Sequence, residues 1–238
     1  MPQKRETFFA VTEVRVGKLA PLGATEVLSG IDKKIVLGPV TARATGLDGD
    51  EQGDRRHHGG PDKAIHVYPL SHYTRWAAEL PDQAELFRPG GFGENFVVDG
   101  VTEADVCLGD RFRLGDALLE LSQSRQPCWR LNIRFGRADM ARLVQTTGRT
   151  GWYFRVLEPG EITAGGPATL EARPHPEWTL QRIARLLYHD TQNETELAEF
   201  AALPDLPERW RRLAKRRLST RGTEDWTSRI VTPEGVAP

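Results

Sequence analysis

The stretch FVVDGVTEADVCLGDRFRLGDALLELS, residues 96–122, holds four short apolar or alternating runs, at 96–98, 105–108, 111–114 and 117–122. They are cut by Asp99-Gly100, Gly109-Asp110 and Gly115-Asp116. Glycine supplies positive φ without steric cost and aspartate bonds its own backbone, so such pairs are turn formers. Runs this short and this close predict strands joined by tight β-connections. Working outward, 13–19, 34–37, 40–45 and 64–68 read as further strands upstream, and 153–157 and 168–171 downstream. Two helices interrupt the series. One spans 71–80, with Ser71 as N-cap and Pro81 as stop; the other spans 138–147, closed by Gly148. Many short strands with few helices predict a mainly β domain with some α, closed as a β-barrel because closure removes exposed edges.

After Arg173-Pro174-His175-Pro176 the period changes. Residues 179–188, 194–203 and 208–218 read as amphipathic helices, with Ile183, Leu186 and Leu187 as the apolar stripe of the first. The expected division is a barrel domain over 1–174, a three-helix unit over 175–225 and a frayed tail over 226–238. No internal repeat is present.

The chain has 238 residues, 39% hydrophobic and 27% charged, with 32 Lys+Arg against 33 Asp+Glu and a formal net charge of −1. This balance speaks against a surface built wholly for nucleic acid or anionic lipid. No apolar run is long enough to span a membrane, and the polar start is no secretory signal, so no membrane partner is expected. Two cysteines, Cys107 and Cys128, do not make a disulfide scaffold, and the cytoplasm is the default location, where both stay reduced.

Cys128 is the residue with the most chemistry. Pro127 fixes the backbone before it, and Arg125 and Arg130 flank it; nearby cations stabilise a thiolate, which is the soft-metal ligand. Residues 125–155 carry seven arginines against one acid, Asp139, an excess suited to a bound anion. On spacing alone a buried structural cysteine reads equally well. Cys107, in an apolar run with no flanking cation, reads as core. The turn 54–63, with His57, His58, Gly59, Gly60, Pro61 and Lys63, presents polar side chains and bare amides to an anion or cofactor, or is a charged surface turn. The segment 90–96, with three glycines before Glu94-Asn95, suits close backbone approach to a heterocycle, or is a bulged strand entry. It is no dinucleotide fingerprint, and the histidines lack zinc-site spacing. The basic run Arg209, Arg211, Arg212, Lys215, Arg216, Arg217 around Trp210 is a solvated face or a docking face, and nucleic acid is a minor expectation there.

In order and spacing, Gly46-Leu47-Asp48-Gly49-Asp50-Glu51-Gln52, His58-Gly59-Gly60-Pro61-Asp62-Lys63-Ala64, Phe92-Gly93-Glu94-Asn95, the Cys128 segment and Thr147-Gly148-Arg149-Thr150-Gly151-Trp152 resemble the MOSC domain over residues 10–172. The branch resembled is the YiiM type, linked with resistance to N-hydroxylated base analogues, and the helical end resembles its three-helix extension. The resemblance implies a closed barrel and a molybdenum cofactor (molybdopterin) with Cys128 as metal ligand. It also implies reduction of N-hydroxylated, hydroxylaminopurine-type substrates to amines, a detoxifying oxidoreductase activity. By extension, Lys63, Arg125, Arg130 and Arg149 are expected to clamp phosphate or substrate, and His58, Glu94 and Asn95 to orient the pterin or shuttle a proton. The alternative it allows is a non-catalytic carrier of cofactor or persulfide sulfur on Cys128. Two cysteines cannot build a four-thiolate iron–sulfur site, so reduction calls for a separate electron-donor protein.

Overall fold

The computed structural model describes residues 6–53 and 59–236. Seven strands form the barrel: β1 (Phe9–Val16), β2 (Ile65–Pro69), β3 (Phe96–Asp99), β4 (Arg111–Leu114), β5 (Ala117–Ser124), β6 (Trp152–Glu158) and β7 (Pro167–Ala172). Pairing runs β1–β3–β2–β6–β5–β4–β7, and β7 returns to β1 with Ala168 beside Phe9, which closes the sheet. The β4–β5 hairpin turns on Gly115-Asp116, as the turn chemistry predicts. Gly115 has φ +55°, and a Cβ there would meet the Glu161 carbonyl oxygen at 2.2 Å, so only glycine fits.

One barrel pairing is parallel, β2 with β3, Val67 beside Phe96. Parallel neighbours cannot be joined by a tight turn and need a crossover. The change of hydrophobic period after β2 is that crossover: helix α1 (Leu70–Glu79) and a 3-10 segment, Pro81–Leu86, carry the chain over. Beneath them Tyr68, Tyr73, Trp76, Phe87, Phe92 and Phe135 form a second apolar cluster, with Tyr68 and Phe92 stacked at 4.2 Å.

The barrel core is filled by Val11, Ile65, Val67, Phe96, Phe112, Leu119 and Phe154. Two short helices, α2 (Arg130–Phe135) and α3 (Met140–Thr147), follow β5, and α4 (Leu180–Tyr188), α5 (Glu194–Ala202) and α6 (Glu208–Thr220) follow β7. Thr179 Oγ1 accepts from Arg182 N at 3.1 Å and Asn193 Oδ1 from Glu196 N at 3.1 Å, capping α4 and α5. Trp178, Ile183, Leu187, Phe200 and Trp210 join the barrel's own apolar cluster, so the extension shares the barrel core. No helix among the described residues is long and apolar enough to cross a membrane.

Four local expectations are corrected. Residues 105–108 make no strand; Cys107 forms one isolated bridge to Thr179, because the Asp105 and Asp110 carboxylates take the Thr102 and Cys107 amides at 2.8 Å each. Helix α1 starts at Leu70, straight from β2, without a side-chain cap from Ser71. Helix α2 has only six residues, too few for a periodic pattern to register. The tail does not fray before 236: α7 (Thr227–Ile230) buries Ile230, and its backbone is bonded to the Cys128 segment and to Asn132 of α2.

Candidate functional site

β5 ends at Ser124, and the chain leaves the barrel through Arg125-Gln126-Pro127 to reach Cys128 at the entrance to α2. Arg125 N donates to Gly151 O at 3.0 Å, and Cys128 O accepts from Leu131 N at 3.0 Å, so both ends of the segment are fixed. Cys128 is 6% exposed.

A second wall is the 3-10 turn Pro61–Lys63. Its Asp62 carbonyl accepts from Ser122 Oγ at 2.6 Å and Gln123 Nε2 at 3.0 Å. Gln123 Oε1 in turn accepts from Trp210 Nε1 at 2.5 Å, and the Asp62 carboxylate pairs with Arg155 at 2.9 Å. The helical extension thus braces the turn that presents Lys63.

The third wall comes from the 30–33, 50–53 and 92–95 segments. Asn95 Nδ2 donates to Arg15 O at 3.1 Å and to Asp50 Oδ2 at 3.0 Å, while its Oδ1 accepts from His66 N at 3.0 Å. Asp50 also pairs with the buried Lys33 and accepts from Gly17 N at 2.7 Å. With His66 of β2 and Tyr153 of β6 these walls enclose a cavity that opens to the surface.

The electrostatics follow from burial among cations. Lys63 is pushed down to about 8, first by burial and then by Arg209, with Cys128 and Asp62 opposing. Burial, then Arg125, holds His66 well below the usual imidazole range, so its ring is neutral at pH 7. Burial pushes Tyr153 up, and it stays a phenol. Among the described residues His66 Nε2 and Arg125 Nη1 are buried without a hydrogen-bond partner. Unsatisfied buried polar atoms are costly, and both belong to residues that line the cavity.

The structure brings together Lys63, Asn95, Arg125, Cys128 and Arg130 of the expected site residues. His58 lies outside the described residues. Glu94 and Arg149 are corrected, since neither lines the cavity. The Glu94 carboxylate, fully buried, accepts from the Tyr73 hydroxyl, Gly90 N and Phe92 N, and so ties the glycine turn together. Arg149 stacks on Trp76 at 3.6 Å and pairs with Glu79 on another face. Asn95, expected also as a proton carrier, has both amide N–H bonds engaged and fixes the wall instead. Much of the arginine excess of 125–155 is met by acids, most of them distant in sequence. Arg134 pairs with Asp32, Arg137 with Asp139, and Arg155 with Asp62 and Glu120. Sequence reasoning missed Lys33, Asp50, His66 and Tyr153. Asp50 stood inside a quoted motif, Tyr153 directly after another and His66 two residues past a third; nothing marked Lys33.

The donor set suits a molybdenum-pterin group: one soft thiolate, three cations for a phosphate, and a neutral imidazole for a heterocycle. Among the described residues no three His, Cys, Asp or Glu side chains converge on a metal position.

The chain thus combines a closed mixed barrel, a buried thiol in a cavity shared with Lys63, Arg125 and Arg130, and an appended three-helix unit. The MOSC domain model matches residues 54–169, and the YiiM-like, 3-alpha helix domain model matches 178–221. The chain belongs to the MOSC-domain family, in the branch that carries the YiiM-like helical domain. It is 41% identical to Protein YiiM of Escherichia coli, over 85% of this chain and 90% of that one. The crystal structure of YiiM from Escherichia coli superposes with a TM-score of 0.80 at 34% identity, covering 94% of this chain and 98% of that one. A Gibberella moniliformis protein named Reductase is 39% identical over 81% of this chain but only 34% of its own length. The MOSC family is associated with molybdenum-cofactor binding, and these relatives support a molybdenum-cofactor-related, oxidoreductase-like function.

Proposed function

We propose that the protein is a cytoplasmic, molybdenum-cofactor-dependent reductase of N-hydroxylated compounds, hydroxylaminopurine-type base analogues among them, which it detoxifies to amines. The observation that carries the reading is Cys128, a buried thiol at the wall of a cavity that also presents Lys63, Arg125 and Arg130. The bound group would supply two-electron chemistry for the overall change R–NH–OH + 2 e⁻ + 2 H⁺ → R–NH₂ + H₂O. Cys128 holds the metal as thiolate, and Lys63, Arg125 and Arg130 hold the pterin's phosphate. Lys63, pushed down to about 8, exchanges a proton near neutral pH and can supply one to the leaving oxygen. His66, neutral at pH 7, lines the same cavity. Walls built from buried Phe92 and Tyr153 restrict water. The electrons come from a separate donor protein.

The test is molybdenum and pterin analysis of protein made in a cofactor-competent host. Wild type and Cys107→Ala should carry molybdenum, and Cys128→Ala should not. Equal molybdenum in all three would end the ligand assignment, and a persulfide mass on Cys128 without molybdenum would favour a sulfur carrier.

A further inference from the structure

A second groove lies between α6 and the C-terminal segment. Half-buried Gln126, Leu213 and Trp226 line it together with exposed Arg209, Arg212 and Arg216. The three arginines are spaced three and four apart, on one face of α6. Glu224 lies 3.5 Å from Arg216, but its carboxylate already serves the buried Arg217 at 2.7 Å and Trp226 Nε1 at 2.9 Å. Among the described residues Arg209 and Arg212 have no carboxylate partner. Two other cations of the helix are spent differently: Arg217 pairs with Glu224, and Arg211 donates to the Ala201 and Leu203 carbonyls at 2.5 and 2.8 Å. Trp210, expected at the centre of a docking face, is 2% exposed and belongs to the core. In a chain of net charge −1, this is a local concentration of positive charge.

The groove is joined to the site. Gln126 is two residues from Cys128, at most ~7 Å between Cα atoms. Arg229, also in its lining, bonds the peptides on both sides of Cys128. We infer that this groove is the docking site of an acidic electron-donor protein. The inference rests on the reductase reading above. Two cysteines and no dinucleotide fingerprint leave the chain without an electron source of its own. The cavity mouth is needed for substrate, whereas the groove approaches the Cys128 segment by another route. The guanidinium groups of Arg209 and Arg212 outweigh the Glu224 and Asp225 carboxylates that share the groove, and steer an acidic partner to that route. Per turnover the donor is oxidised by two electrons and two protons enter from solvent. The N–O bond breaks, an N–H bond forms, and the oxygen leaves as water.

The test uses the full, molybdenum-loaded chain with 6-N-hydroxylaminopurine, driven either by reduced flavodoxin, an acidic FMN protein, or by reduced methyl viologen. In Arg212→Glu/Arg216→Glu the flavodoxin-supported rate and the calorimetric affinity for flavodoxin should fall at least about tenfold. In wild type both should fall steeply with salt, as charge steering requires. The viologen rate should stay within about twofold in the variant. The inference is overturned if flavodoxin binding and rate are unchanged in the variant, or if flavodoxin does not bind wild type. It is also overturned if a single-stranded oligonucleotide is the only polyanion whose binding the variant loses. A wild type that is inert with viologen would sink the reductase reading instead, while the binding measurement, which needs no turnover, still decides the groove.

Discussion

Arg229 Nη1 donates to the Pro127 carbonyl at 2.5 Å, and the Arg229 carbonyl accepts from Trp129 N at 2.8 Å, so one tail residue holds the peptide on each side of Cys128. Its Nη2 reaches Gln145 Oε1 at 2.5 Å, and Asn132 Nδ2 donates to Ile230 O at 2.9 Å. These contacts lie beyond the 178–221 span of the helical-domain match. Arg229→Ala removes charge-assisted bonds worth about 1.5–3 kcal/mol each and frees the segment. The expected result is a several-fold faster reaction of Cys128 with a disulfide reagent and less molybdenum per chain, with partial rescue in Arg229→Lys. A lowered melting temperature with an unchanged thiol rate would mean that the strap serves stability alone.

Lys63 is pushed down to about 8 by burial and Arg209. It is charged below that pH and neutral above it, so its hold on a phosphate should weaken as pH rises through about 8. A bound dianion favours the ammonium form and moves the transition upward. Pulse acetylation read by mass spectrometry should give Lys63 a midpoint near 8 in cofactor-free protein and a higher one when loaded. A midpoint at the ordinary lysine value of 10.5 would remove Lys63 from the proton-supply role.

The strands at 111–114 and 117–122 were legible because the Gly115-Asp116 turn, the alternation and the burial all agree on one register. The crossover at α1 was legible as a change of period, but its meaning, a parallel β2–β3 pair, was not, because a single sequence does not say which strand lies beside which. That Cys128, Arg125, Arg130 and Lys63 line one cavity could be anticipated because each sits in a loop with an unusual neighbour. Glu94 and Arg149 misled for the same reason: a glycine-rich segment uses polar side chains to fold a turn as well as to meet a ligand. Glu94 bonds Gly90 and Phe92, and Arg149 lies on Trp76. The arginine excess of 125–155 also misled, since Asp32, Glu79 and Glu120, which neutralise three of those arginines, are tens of residues or more away in sequence.

The two cysteines should behave oppositely. Burial and Asp110 push the Cys107 thiol up to about 11, and its Sγ lies 3.4 Å from the Pro176 carbonyl. At pH 8 it is protonated and a poor nucleophile. Iodoacetamide at that pH, followed by peptide mass mapping, should modify Cys128 before Cys107 in cofactor-free protein, and cofactor loading should protect Cys128. Equal labelling of the two would contradict both the core role of Cys107 and the cavity position of Cys128.

Glu94 tests whether the glycine turn is scaffold or cofactor contact. Its carboxylate collects the Tyr73 hydroxyl and the Gly90 and Phe92 amides, all buried. Glu94→Ala strands these donors, each at a cost on the order of 1–3 kcal/mol, so the urea midpoint should fall sharply, by roughly 3 kcal/mol or more in stability. Glu94→Gln keeps an acceptor and should lose less. Burial pushes the folded carboxyl above its ordinary value of 4.5, against the hydrogen bonds that favour the charged form. Between those two values the folded state binds more protons than the unfolded one, so this group's contribution to stability declines as pH rises through that window. Glu94→Gln should flatten that slope. A variant that is as stable as wild type at every pH but poor in molybdenum would return Glu94 to the cofactor site.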